Sequence, residues 1–246
     1  MAFIEELELS GKWLFRFRSY IPLIMIVLYL FTITRYEITF WILDNFLFWE
    51  LFCFAISFFG LWIRIITIGF IPKGTSGRNT TNQVAETLNI TGIYSVVRNP
   101  LYLGNYFMGL GLFLLFPLWW MVLIYTMFFW IYYERIIFTE EVFLRNKFKE
   151  QFLVWAKETP LILPKFKNYK KAGMSFSLRN VLKREYNGFF AIIITFIFVK
   201  TFRFYIHTDN LKIDLWELIL LGVSFILWIS LRSLKKYTNL LKVEGR

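Results

Sequence analysis

The chain has 246 residues, of which 57% are hydrophobic and 22% aromatic, and its formal net charge is +11. A soluble domain cannot keep so much apolar side chain from water, so the composition indicates an integral membrane protein rather than a soluble nucleic-acid binder. One cysteine, Cys53, and one histidine, His207, exclude an intramolecular disulfide, a Cys- or His-based metal cluster and a Ser-His-Asp triad.

Along the chain, the stretch before Tyr20 is acidic and then basic, with no small-residue cleavage site, so the first apolar segment is expected to stay as an anchor. A membrane-spanning helix needs about 20 mostly apolar residues. Six such spans are expected, at residues 17–34, 46–71, 101–116, 118–133, 189–205 and 215–231. Pro117 joins the third and fourth into a tight antiparallel hairpin. The expected fold is therefore an all-α polytopic membrane protein with one domain, residues 1–246. A cytoplasmic amphipathic helix follows the hairpin, with Phe143, Lys147, Phe148, Phe152 and Trp155 on a face suited to the membrane surface. Pro160 and Pro164 end it.

The basic residues orient this array. With both termini in the cytoplasm, 23 of the 28 Lys and Arg residues fall on the cytoplasmic side. Arg35, Lys200, Arg203 and Lys212 lie opposite, and Arg64 is inside the second span.

Chemistry concentrates where the third span begins. Gly92 turns the chain, Pro100 takes the first helical turn, and Arg98 can snorkel beside the belt residues Tyr94 and Tyr102. The order of the residues says more. Arg98-Asn99-Pro100-Leu101-Tyr102-Leu103-Gly104 follows a Gly-x-Tyr, and a Glu140-Glu141 pair lies just beyond the fourth span. This arrangement resembles the membrane-embedded methyltransferases that include isoprenylcysteine carboxyl methyltransferases and phospholipid methyltransferases. Their motif reads Arg-His-Pro-x-Tyr-x-Gly, with a later Glu-Glu pair. Here Asn99 stands in place of His; an amide can donate and accept hydrogen bonds but cannot ionise as imidazole does.

The resemblance implies S-adenosylmethionine as cofactor, with no metal. It places Gln83, Thr87, Leu88, Tyr94, Asn99, Pro100, Leu101, Tyr102, Gly104 and Glu140 around it. Aromatic faces suit an adenine and a sulfonium, and helix-start backbone groups suit a carboxylate. Arg98 and Glu141 are the candidate catalytic residues, Glu141 as a base if the acceptor is an amine. Glu134 is a candidate partner for Arg98 or Arg135. Arg64, Lys73, Arg78 and Arg135 are candidate substrate ligands, Arg64 through a planar fork suited to phosphate or carboxylate. Gly74-Thr75-Ser76-Gly77 could form an anion nest. The catalytic core is expected at about residues 46–171, with 189–231 as an appended pair of spans.

The acceptor is expected to be a membrane lipid reached from the inner leaflet. The loop from Lys73 to Asn79, followed by Gln83-Val84-Ala85, resembles bacterial enzymes that methylate the 1-phosphate of lipid A. That implies O-methylation of a lipid phosphate at a bacterial inner membrane. Phospholipid N-methylation and prenylcysteine carboxyl methylation stay open. So do an NADPH-dependent sterol-type reductase and a non-catalytic scaffold.

Overall fold

The structure is a computed structural model that describes residues 2–35, 46–72, 85–116 and 118–245. It is all-helical among those residues. In chain order the helices are α1 (Phe3–Arg16), α2 (Ile21–Ile33), α3 (Phe46–Gly69), α4 (Pro100–Leu114), α5 (Trp119–Phe148), α6 (Glu150–Glu158), α7 (Leu178–Thr208) and α8 (Leu215–Tyr237). Four are long and apolar enough to cross a membrane: α3, α5, α7 and α8. The bent pair α1–α2 makes a fifth candidate. The protein is thus a multi-pass membrane protein.

Two differences from the sequence reading have physical causes. The first expected span, residues 17–34, is reduced to the 13-residue helix α2. Residues 3–16 form a separate helix, and the chain bends by 76° before α2. Gly11 allows that arrangement, because a Cβ there would strike Thr139 Oγ1 and the Arg135 carbonyl on α5. The third expected span, α4, has only 15 residues, about 22 Å of rise against a core of about 30 Å. Its last carbonyls are satisfied from neighbouring helices. The Tyr29 hydroxyl donates to Leu112 O at 3.0 Å, and the Trp49 indole N–H donates to Leu114 O at 2.9 Å. Without such donors a helix end inside lipid would be costly. Pro117 lies outside the described residues, but α4 and α5 do follow one another as a hairpin.

The closest helix pair is α3 against α4. Small residues line the seam. A Cβ on Gly104 would sit 2.5 Å from Arg64 Cγ and 2.7 Å from the Gly60 carbonyl. Gly111 faces Ser57 and the Cys53 carbonyl, and Ser57 Oγ donates to Met108 O at 2.8 Å. Dispersion at such close backbone approach is what holds membrane helices together, since lipid competes for apolar side chains. The apolar core of Tyr29, Phe54, Phe113, Phe116 and Phe196 fills the far half of the bundle.

α7 and α8 are clasped to α3 at that same far end. Lys200 lies 2.8 Å from Glu217, 3.1 Å from Glu50 and 3.5 Å from Asp214. Glu50 and Glu217 are buried. Removing the cation would strand two buried carboxylates. Lys200→Met is therefore expected to cost about 3 kcal/mol, read as a fall in the detergent melting temperature.

Candidate functional site

The near end of the bundle holds the motif. Gly92 adopts φ +62° and ψ −136°, backbone that suits glycine and starts the turn through Ile93–Ser95. The segment after α6 ties this turn down. Gly92 N–H donates to Lys170 O at 2.8 Å, and Ser95 Oγ accepts from Lys170 N–H at 2.8 Å. Lys165 N–H donates to Val96 O at 3.0 Å, and Arg98 N–H donates to Pro160 O at 2.9 Å. Pro160 thus ends one helix and anchors the start of another.

α5 runs on through Phe143, Lys147 and Phe148 of the amphipathic stretch but not to its end. Lys149 takes φ +46° and breaks the chain into α5 and α6. Phe152 and Trp155, expected to face the membrane surface, are buried instead. Trp155 donates its indole N–H to Tyr94 O at 2.9 Å. α6 therefore backs the motif turn, a role the sequence pattern of alternating aromatic and basic residues did not show.

Thr87, Leu88 and Tyr94 line one cavity of about 210 Å³, together with Phe70, Ile71 and Asn89. Gly173 and Met174 close it from the segment before α7. The Asn89 amide nitrogen is buried there without a hydrogen-bond partner among the described residues. Burial pushes the Tyr94 phenol above its ordinary range, while Arg184 pulls it down and Glu140 raises it, so Tyr94 stays a hydrogen-bond donor. Tyr94 is thus both on the cavity wall and within the field of Glu140.

Glu140 is half-buried on α5 and is the side-chain hydrogen-bond partner of Tyr102. The Tyr102 ring lies 4.5 Å from that of Tyr133, and Arg18, in the bend between α1 and α2, adds positive charge nearby. Neither Tyr133 nor Arg18 stood out in the sequence. Tyr133 falls in an aromatic-rich span, and only its spacing of seven residues before Glu140, one face of a helix, marks it.

Arg98 pairs with Glu141, not with Glu134, at 2.9 Å. Its Nε is buried without a hydrogen-bond partner among the described residues. Asn99 precedes α4 and donates through its amide to Leu161 O at 3.3 Å. That bond needs a donor and no ionisation. Asn99→His should therefore hold the turn, whereas Asn99→Leu should lose about 1–3 kcal/mol and weaken S-adenosylhomocysteine binding, measured by melting and calorimetry.

Other expected site residues are placed differently. Gly104 faces Gly60 and Arg64, so its smallness serves the α3–α4 seam. Leu101 packs on Ile68, Ile71 and Val181, and Pro100 is buried at the first turn of α4. Arg64 was expected to offer its fork to an anion. Instead Glu185 takes Nε at 2.7 Å and Nη2 at 2.8 Å, and Asn105 accepts from Nη1 at 2.6 Å. Arg135 donates to Ser10 Oγ at 2.9 Å and so secures α1. Gln83, Lys73, Arg78 and the expected anion nest at residues 74–77 lie outside the described residues.

Residues 49–151 match the family model described as phospholipid methyltransferase. That range contains most of α3, all of α4 and α5, and both halves of the motif. The match supports a membrane methyltransferase acting on lipids. No curated protein and no solved structure matches the chain.

Proposed function

We propose that this protein transfers a methyl group from S-adenosylmethionine to the amino head group of a membrane phospholipid. The residues present fit that cofactor. The cavity has apolar and aromatic walls for an adenine, and the Asn89 amide is a buried donor with no partner among the described residues. Glu140 supplies a carboxylate for an amino group. When bound, S-adenosylmethionine supplies an electrophilic methyl on a sulfonium.

The observation that carries the acceptor assignment is the Arg98–Glu141 pair. It sets opposite charges 2.9 Å apart at the start of α4. A zwitterionic head group presents the matching pattern, phosphate beside ammonium. Arg98 Nε is a buried donor with no partner among the described residues, and a phosphate oxygen would satisfy it. Glu141 engages Arg98 through Oε1, which leaves its second oxygen to take the ammonium proton. The amine, once deprotonated by Glu141, would carry the lone pair that methyl transfer requires. Alignment and exclusion of water do the remaining work. With Arg64 committed to Glu185, the fork expected for a lone lipid phosphate is already occupied.

This reading places both termini and the site on the cytoplasmic side, in keeping with the charge asymmetry. The test is a competition in nanodiscs between phosphatidylethanolamine and a lipid phosphomonoester, with lipids read by mass spectrometry. Methylated ethanolamine is the expected product. A methyl ester on the phosphomonoester instead would return the acceptor to lipid phosphates such as that of lipid A.

A further inference from the structure

We propose that Glu185 is a positioning residue for the cofactor site, acting through Arg64, Asn105 and Tyr133. The proposal rests on the methyltransferase reading above. Glu185 lies on α7, beyond the stretch that matches the family model, so the C-terminal helices would be part of the working site and not an appendage.

The connection is continuous and mostly directional. Glu185 is 4% exposed and grips Arg64 with both oxygens. A bidentate grip fixes the plane of a guanidinium. The remaining arm, Nη1, then points at Asn105 Oδ1 at 2.6 Å. This settles which way the amide faces, since only its oxygen can accept. The Asn105 nitrogen in turn donates to the Tyr133 hydroxyl at 3.3 Å. The Tyr133 ring packs on Tyr102, and Tyr102 bonds Glu140. The chain of contacts runs from α7 through α3, α4 and α5 to the carboxylate assigned to the cofactor.

A purely adhesive ion pair would need no such relay. α3 and α7 are already joined at the far end by Lys200 and Glu50 and in the middle by Phe54 on Phe196, 4.2 Å apart. At the near end Asn180 donates to Ile68 O at 2.8 Å. Adhesion is supplied along the whole seam, yet a charged pair and an oriented amide lie at the one level that faces Tyr133.

The test uses the full chain in nanodiscs, with S-adenosylhomocysteine binding by calorimetry and melting measured on the same samples. Glu185→Gln should weaken binding about tenfold although Glu185 lines no part of the cavity. Glu185→Asp, which keeps the charge, should recover part of the loss. Tyr133→Phe should weaken binding similarly, and the double variant no further than either single one. Lys200→Met should lower the melting temperature yet leave affinity within about twofold, since its clasp lies outside the relay. If Glu185→Gln does not fold, Asn105→Leu carries the same expectation. Wild-type affinity in a folded Glu185→Gln or Asn105→Leu overturns the proposal, as do independent, multiplying effects of Glu185→Gln and Tyr133→Phe. A wild-type protein that binds no S-adenosylhomocysteine overturns the methyltransferase reading itself.

Discussion

Glu140→Ala is expected to abolish measurable S-adenosylhomocysteine binding, a loss of at least about 100-fold. The cofactor's amino group is a cation, and a half-buried carboxylate is its natural partner. Glu140 is held for that task by Tyr102, with the Tyr133 ring 4.5 Å from Tyr102. Alanine removes the charge and leaves the Tyr102 hydroxyl without its acceptor. Glu140→Gln keeps an acceptor but not the charge, so it should lose about tenfold. Calorimetry on the folded variants decides the matter. Unchanged affinity in Glu140→Ala would place the amino group elsewhere.

Gly104→Leu should prevent the bundle from assembling. The obstruction at a Cβ there is 2.5 Å from Arg64 Cγ and 2.7 Å from the Gly60 carbonyl. The side chain of Arg64 is pinned by Glu185 and cannot swing away, and a backbone carbonyl cannot yield without moving α3. Even Gly104→Ala should cost about 3 kcal/mol. The larger side chain would drive α4 off α3 and pull the motif turn with it. Size-exclusion profiles and melting in detergent report this directly. A Leu variant that melts like wild type would mean that the seam is looser than described.

The membrane class, four of the six expected spans and the position of the motif were legible in the sequence, because composition, hydropathy and residue order are local. Thr87 and Leu88, named from the stretch before Gly92, share a cavity wall with Tyr94 of the motif. Contacts made across helices were not legible. The Arg64–Glu185 pair joins residues 121 positions apart, and no periodicity relates them. The same is true of Arg98 with Glu141, where Glu134 looked equally suitable by spacing along the helix. The bend after α1 was hidden because residues 3–16 are only modestly apolar, and they bury only Gly11 and Phe15. The break at Lys149 was hidden too, since a lysine gives no signal for a positive φ.

The most direct measurement is transfer of an isotopically labelled methyl group from S-adenosylmethionine by the purified protein in phospholipid nanodiscs. The account predicts label in the extracted lipid, carried on the amino head group and absent with Glu140→Ala. Folded wild-type protein that leaves the lipid unlabelled, with phosphatidylethanolamine present in the bilayer, would contradict it.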